Sequence, residues 1–161
     1  MKGKVLTVLV TMAAVFSIRA VSAVPQCIID SKMGKQLDLP IYEWIDKSKP
    51  RQGTIVAIHG LTLYAACWDH FAKHLAKKGF RVFALDQRGF GRWRKEGSTF
   101  GGNNKIEIGQ SQQDLLDLVT TLRQAYPGQK LFLLGESLGS NMALSLVSEY
   151  PDLADDAINS N

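Results

Sequence analysis

Lys130-Leu131-Phe132-Leu133-Leu134-Gly135-Glu136-Ser137-Leu138-Gly139 decides the fold of this chain. Leu131 to Leu134 is an unbroken apolar run, the kind of strand that is buried on both faces of a parallel sheet. Gly-x-Ser-x-Gly follows at once, and a helix is expected over about Ser137 to Tyr150, ahead of Pro151. A serine between a strand and a helix occupies a sharp, strained turn that lifts its hydroxyl above the sheet. Gly135 and Gly139 lack side chains where that turn brings backbone segments together. Ser137 is therefore the candidate nucleophile, with a plain helix-capping serine as the alternative. Chance alone puts Gly-x-Ser-x-Gly into roughly 5% of chains of this length at average composition. The flanking strand and helix, more than the motif, carry the assignment.

The same alternation extends upstream. Thr54-Ile55-Val56-Ala57-Ile58 is a β-branched apolar run ending at His59-Gly60, and Arg81 to Leu85 is the next strand, leading to Asp86. Ala65 to Lys78 has helical spacing, with Trp68, Phe71, Ala72 and Leu75 as its apolar set and Gly79 as its stop. Ser111 to Tyr126 is the next helix, with Leu115, Leu116, Leu118, Val119 and Leu122 apolar and Pro127-Gly128 as terminator. Strand and helix in alternation predict an α/β fold: a mostly parallel sheet with right-handed crossovers and helices on both faces. Such sheets bind ligands at the carboxyl ends of their strands. His59-Gly60, Asp86 to Gly91 and Gly135 to Gly139 all fall there.

Nearer the N-terminus, Cys27 to Lys32 and Gln36 to Ile45 are extended candidates separated by Met33-Gly34-Lys35, which predicts an opening hairpin. Asp46 to Gly53 is a polar loop. At the other end, Ala157-Ile158-Asn159-Ser160 has the look of the first residues of another buried strand.

A tetrahedral oxyanion needs backbone N–H donors already in place. Leu138, at the N-terminus of the helix behind Ser137, offers one, where unbonded N–H groups and the helix dipole favour negative charge. The loop after the first parallel strand should supply the second, which makes Leu61 the best candidate and Thr62 its neighbour to test. His59, directly before Gly60, is better suited to bonding locally and shaping that loop than to catalysis. His70 and His74 stand one helical turn apart, a metal-binding spacing, but no third ligand accompanies them, so surface or packing roles are expected. Neither a metal site nor a cofactor is expected.

Taken together, His59-Gly60-Leu61, Asp86-Gln87-Arg88-Gly89-Phe90-Gly91 and Gly135-Glu136-Ser137-Leu138-Gly139 resemble the α/β-hydrolase superfamily. The branch they resemble is the monoacylglycerol lipase, lysophospholipase and serine aminopeptidase S33-like group, over roughly Leu37 to Ile158. That resemblance implies Ser137 as nucleophile and Leu61 and Leu138 as oxyanion-hole residues. It implies a structural role for the Asp86-x-Arg88-Gly89-x-Gly91 segment, with Arg88 holding the loop. Phe90 stands where a histidine is often found. Arg92-Trp93-Arg94-Lys95 is a less typical continuation, expected to be a solvated loop, with an anionic head group as its alternative partner. The implied activity is hydrolysis of carboxylic esters, of monoacylglycerol or lysophospholipid type, through an acyl-enzyme. Peptidase or amidase chemistry and a non-catalytic binding protein of the same fold are the alternatives.

Triad order in such folds is Ser, then Asp or Glu, then His. Residues 138–161 contain Glu149, Asp152, Asp155 and Asp156 but no histidine; the three histidines all precede Ser137. The expectation is thus an N-terminal portion of a hydrolase domain over 24–161, truncated after the nucleophile-elbow helix and inactive by itself.

Charge bears on the partners. Of the formal net charge of +4, Lys2, Lys4 and Arg19 contribute three in a stretch of 23 residues without an acid. The remainder is near neutral, which argues against nucleic acid. Residues 1–23 resemble a secretory signal peptide: a basic start, an apolar Val5 to Ile18, and Val21-Ser22-Ala23 before a cleavage site after Ala23. A secreted or periplasmic location follows, with an uncleaved N-terminal anchor as the alternative. The apolar run is short for a span, which needs about 20 residues, so no stable membrane span is expected after cleavage. In an exported protein Cys27 and Cys67 could pair, or serve as two small buried apolar side chains.

Overall fold

A computed structural model describes residues 25–102 and 104–160, and the expected signal peptide over residues 1–23 lies outside them. Six strands form one sheet: β1 (Gln26–Ile28), β2 (Ile41–Ile45), β3 (Gly53–Ile58), β4 (Phe80–Leu85), β5 (Leu131–Glu136) and β6 (Asp156–Ser160). Their order across the sheet is β1-β2-β4-β3-β5-β6. β4, β3, β5 and β6 run parallel, while β1 and β2 are antiparallel to their neighbours. Four helices connect them: α1 (Lys32–Leu37), α2 (Asp69–Lys77), α3 (Ile108–Ala125) and α4 (Leu138–Glu149).

Alternation along the central strands explains the two-faced core. Val56 and Ile58 of β3, Phe83 and Leu85 of β4, and Leu131 and Leu133 of β5 point to one face, where they meet Leu115, Leu118 and Leu122 of α3 and Met142, Ala143 and Leu146 of α4. Ile55, Ala57, Val82, Ala84 and Leu134 point to the other and pack with Ala72 and Ala76 of α2. Every residue of β3 is buried, as a central parallel strand covered on both faces must be.

The chain leaves β3 through α2 toward β4 on one side, then returns through α3 to β5 on the other side of β3. The crossovers therefore part between β3 and β5. In an open parallel sheet that reversal opens a crevice at the carboxyl ends of the two strands.

Several local expectations need correction. β1 and β2 do pair antiparallel, with Gln26 opposite Ile45. Their connection, however, contains α1, where Met33-Gly34-Lys35 was expected to turn and Gln36 to begin a strand. Ser31 caps this helix by accepting from the Gly34 N–H at 3.0 Å, and left-handed Asp38 ends it. A side-chain cap of this kind satisfies helix donors that a hairpin would have left to a partner strand. The first part of the expected helix from Ala65 is a 3-10 turn, Ala65–Trp68. On α2 the small residues Ala72 and Ala76 take the buried positions, and Phe71 is 46% exposed. Trp93 departs from the expected solvated loop: it is buried, and its indole N–H donates to the Asp86 carbonyl at 2.8 Å. β6 is a strand as expected, but it lies at the sheet edge and Ile158 is 52% exposed. Cys27 and Cys67 are both free; Cys67 is exposed, and burial pushes the half-buried Cys27 thiol up to about 11. Among the described residues no helix is long and apolar enough to cross a membrane.

Candidate active site

Ser137 occupies the one-residue corner between β5 and α4 with φ 50° and ψ −112°. That is outside the regions open to L-residues, including the small left-handed well. Three backbone bonds hold the corner: Ser137 N–H donates to Ser160 O at 3.1 Å, and Ser137 O accepts from Ser140 and Asn141 at 2.9 and 3.3 Å. Ser140 Oγ adds a bond to Gly135 O at 2.8 Å. The Ser137 side chain is exposed and makes no capping bond, so a helix-capping role does not account for it.

The flanking glycines are fixed by contact. A Cβ on Gly135 would strike the Gly139 carbonyl, and one on Gly139 would strike the Ile58 carbonyl oxygen. α4 is thus pressed onto the end of β3. Gly60 completes the junction, since a Cβ there would fall on the Glu136 carboxylate and lie 3.2 Å from Glu136 O. Leu61, the residue after Gly60, therefore begins its loop beside the elbow. Leu138 opens α4, where first-turn N–H groups have no intrahelical acceptor.

His59 is 1% exposed and both its ring nitrogens are engaged. Nε2 accepts from the Gln87 N–H at 3.0 Å, and Nδ1 lies 2.8 Å from Gly60 O. This pattern assigns the neutral tautomer with the proton on Nδ1. Burial lowers the His59 pKa, which the Gly60 bond only partly opposes. The Gln87 side-chain amide also donates to His59 O. The ring packs edge-on against Phe90 at 5.8 Å. His59 thereby pins the loop after β3 to the loop after β4.

Asp86 makes a second cross-link. Its carboxylate is fully buried and accepts from Ala65 N–H at 2.7 Å and Arg92 N–H at 2.8 Å. Burial raises its pKa, while those donors and the Tyr42 hydroxyl pull it down. Gly91, at φ 51°, lies against this carboxylate with no room for a Cβ. Gly89, at φ 85°, is likewise closed in by the Lys105 backbone. Arg88 anchors the loop to α3 through a bidentate pair with Asp114 at 2.6 and 2.9 Å. Its guanidinium also lies 4.0 Å over the Trp93 ring.

Asp114, Gln87, Tyr42 and Ser111, whose hydroxyl accepts from the Arg88 N–H at 2.9 Å, are the supporting residues that the sequence did not display. One signal was available for Asp114: it falls in phase with Leu118 and Leu122 on the buried stripe of α3. An acid on an apolar stripe needs a cation. His70 and His74 are both exposed on α2, and no group of three or more potential metal ligands occurs among the described residues.

Residues 49–161 match the family described as serine aminopeptidase, S33. A monoglyceride lipase homolog of Monkeypox virus is 28% identical over 95 residues, 59% of this chain and 33% of that protein. The monoacylglycerol lipase of Mycolicibacterium smegmatis is 27% identical over 111 residues, 67% of this chain and 36% of that protein. The solved monoacylglycerol lipase of Paleococcus ferrophilus shares the fold, with TM-score 0.60 and 23% identity over 76% of this chain and 42% of that one. The chain thus spans about a third of the length of the curated relatives it matches. With the family matched over residues 49–161 and the elbow seated at the sheet's crossover reversal, the chain belongs to the serine aminopeptidase S33 family of the α/β-hydrolases.

Proposed function

We propose that this chain supplies the nucleophile and oxyanion donors of a serine hydrolase of lipid-like carboxylic esters. The observation carrying this reading is the Ser137 backbone, held at φ 50° and ψ −112° beside the loop after β3. Strain of this kind persists only where the surroundings over-determine it, and it clusters at functional sites. Ser137 Oγ attacks the ester carbonyl carbon as a base accepts its proton. The N–H groups of Leu138 and Leu61 receive the oxyanion. The alcohol leaves with that proton, and water then cleaves the acyl-enzyme by the same steps.

The base is neither His59, which is buried with both nitrogens engaged, nor His70 or His74 on the exposed side of α2. Residues 138–161 hold no histidine. We assign the base and its acid partner to sequence beyond these 161 residues, in keeping with relatives about three times the matched length. A serine without its base retains little of the triad's rate. Residues 24–161 alone should therefore hydrolyse p-nitrophenyl acetate no faster than their Ser137→Ala variant, and robust turnover would overturn the assignment.

The family's description as a serine aminopeptidase favours one second reading, cleavage of aminoacyl amides by the same residues. A fluorophosphonate probe on the full protein tests both. Labelling at Ser137 that is lost in Ser137→Ala is expected, whereas no labelling would point to a binding protein of this fold. Monoacylglycerols against aminoacyl amides then divide the two chemistries. Residues 1–23 support export with cleavage after Ala23; N-terminal sequencing of the mature protein should begin at Val24, and a retained Met1 would contradict it.

A further inference from the structure

One buried carboxylate oxygen beside Ser137 is not used by the acyl-enzyme chemistry. Glu136 ends β5, in phase with Phe132 and Leu134 on the face of the sheet that α2 covers. Its carboxylate lies against Gly60, so closely that a Cβ on Gly60 would fall on Oε2 and stand 3.0 Å from Cδ. Oε2 is buried and has no hydrogen-bond partner among the described residues. A buried carboxylate oxygen left without a donor is costly.

The turn that begins at Gly60 has the converse deficit. Leu63 N–H donates to Gly60 O at 3.3 Å, which makes Gly60 to Leu63 a four-residue turn with Leu61 and Thr62 at its centre. Gly60 O also lies 2.8 Å from His59 Nδ1, so the plane of the Gly60–Leu61 peptide is pinned and the direction of its N–H is fixed. The Leu61–Thr62 peptide is not anchored. Among the described residues Leu61 O accepts no hydrogen bond and Thr62 N–H donates none. Thr62 is held at φ 69°, in the left-handed region. A turn with positive φ at that position favours glycine or asparagine, and a β-branched residue there is an outlier. Rotating the Leu61–Thr62 peptide by half a turn carries Thr62 to ordinary negative φ and reverses its N–H. The bond from Leu63 to Gly60 is common to both turn types and stays in place.

We propose that Glu136 is a positioning residue for the oxyanion loop: its carboxylate accepts the Thr62 N–H when the Leu61–Thr62 peptide turns over, and so holds the Leu61 N–H on the ester oxygen. The proposal rests on the hydrolase reading for Leu61 as an oxyanion donor. Leu61 N–H makes no bond to Oε2 in its pinned plane, which leaves Thr62 as the donor that is free to turn. The two unbonded N–H groups of the turn thus take different partners, the substrate for Leu61 and the carboxylate for Thr62. Glu136 touches no reacting atom and acts through the loop alone.

Steady-state hydrolysis of p-nitrophenyl butyrate by the full protein, with urea unfolding of the same variants, tests this. Glu136→Ala is expected to lower kcat about tenfold, the scale of one hydrogen bond to a charged group, and to change KM by less than about twofold. Its unfolding midpoint should not fall, because the deleted oxygen has no partner in the resting fold. Glu136→Gln keeps an acceptor oxygen in the same place and should recover the rate to within about threefold of the wild type. Wild-type kcat in Glu136→Ala would overturn the proposal. So would Glu136→Gln as slow as Glu136→Ala, since charge and not hydrogen-bond acceptance would then be at work. A loss of kcat matched by a lower unfolding midpoint would also overturn it, as a merely structural effect. Fluorophosphonate labelling separates this role from the reading beneath it. No labelling of Ser137 in the wild type would sink the hydrolase reading itself, whereas equal labelling rates in the wild type and Glu136→Ala would sink only the role of Glu136.

Discussion

Strain at Ser137 has a thermodynamic signature that can be separated from chemistry. Ser137→Ala and Ser137→Gly both delete the hydroxyl, which makes no hydrogen bond within the described fold. They differ only in backbone tolerance. Alanine keeps a Cβ at φ 50° and ψ −112°, whereas glycine occupies positive φ without penalty. Holding a residue in such a region costs about 1–3 kcal/mol. Glycine gives back about 0.5–1 kcal/mol through the extra freedom of its unfolded chain. Ser137→Gly should therefore be more stable than Ser137→Ala by about 1 kcal/mol. With a urea slope near 2 kcal/mol/M, that is a midpoint shift of about 0.5 M. Urea unfolding followed by tryptophan fluorescence, on the two variants side by side, measures it. A glycine variant less stable than the alanine variant by about 0.5–1 kcal/mol, the entropic cost of glycine with nothing set against it, would show that the turn is not strained and would remove the observation on which the nucleophile assignment rests.

Three further outcomes follow from the contacts around the elbow. Gly139→Ala should cost about 3 kcal/mol, near the top of the range for overpacking, because the new methyl meets the Ile58 and His59 backbone and not a movable side chain; the same urea assay tests this, and a loss under 1 kcal/mol would contradict it. Arg88→Ala should cost about 3 kcal/mol by leaving Asp114, whose side chain is 4% exposed, without its cation. Asp114→Asn in the Arg88→Ala background should recover part of that loss, and no recovery would mean the pair is not the cause. His59 makes stability depend on pH. Its folded-state pKa lies below the unfolded value of about 6.5, so the unfolded chain binds more protons once pH falls below that value. Its contribution is fully present above about pH 6.5 and is lost as pH falls toward the folded value, at no more than about 1.4 kcal/mol per pH unit for one proton. Stability of the wild type between pH 7 and 5 should fall more steeply than that of His59→Gln, and parallel curves would refute the assignment.

The parts of the fold legible in the sequence are those whose local pattern and tertiary environment agree. Thr54–Ile58 and Leu131–Leu134 are apolar without alternation because both faces of their strands are covered, and a run of that kind has no competing surface-strand interpretation. α1 was illegible because six residues with a glycine at the third position give no helical periodicity; its existence depends on the Ser31 cap and on burial of Met33. Phe71 misled for the opposite reason. α2 buries Ala72 and Ala76 against the sheet with Trp68 and Leu75 packed beside them, and Phe71 falls outside that contact. Trp93 was hidden in a run of charges, and its burial is set by Arg88, Asp86 and Phe100, none of which shares its local periodicity.

The site divides along the same line. Ser137, Gly135 and Gly139 are legible because one turn imposes all three, and the reason is backbone geometry. Long-range pairing governs what braces the turn, and a single sequence does not display it. His59 reaches Gln87 across 28 positions, Arg88 reaches Asp114 across 26, and Asp86 reaches Ala65 across 21. Two of these contacts tie the loop after β3 to the loop after β4, and the third ties the loop after β4 to α3. Leu61 depends on them most, because Gly60 touches the elbow while the rest of its loop is exposed. If the loop after β3 supplies an oxyanion donor, its position is held from beneath by His59 and from its far end by Asp86 bonding Ala65. Loosening either should then slow ester acylation and fluorophosphonate labelling of Ser137 together, because both build negative charge on an oxygen that those donors receive. A His59 substitution that left both rates at the wild-type value would show that the oxyanion loop is not held from beneath by this residue.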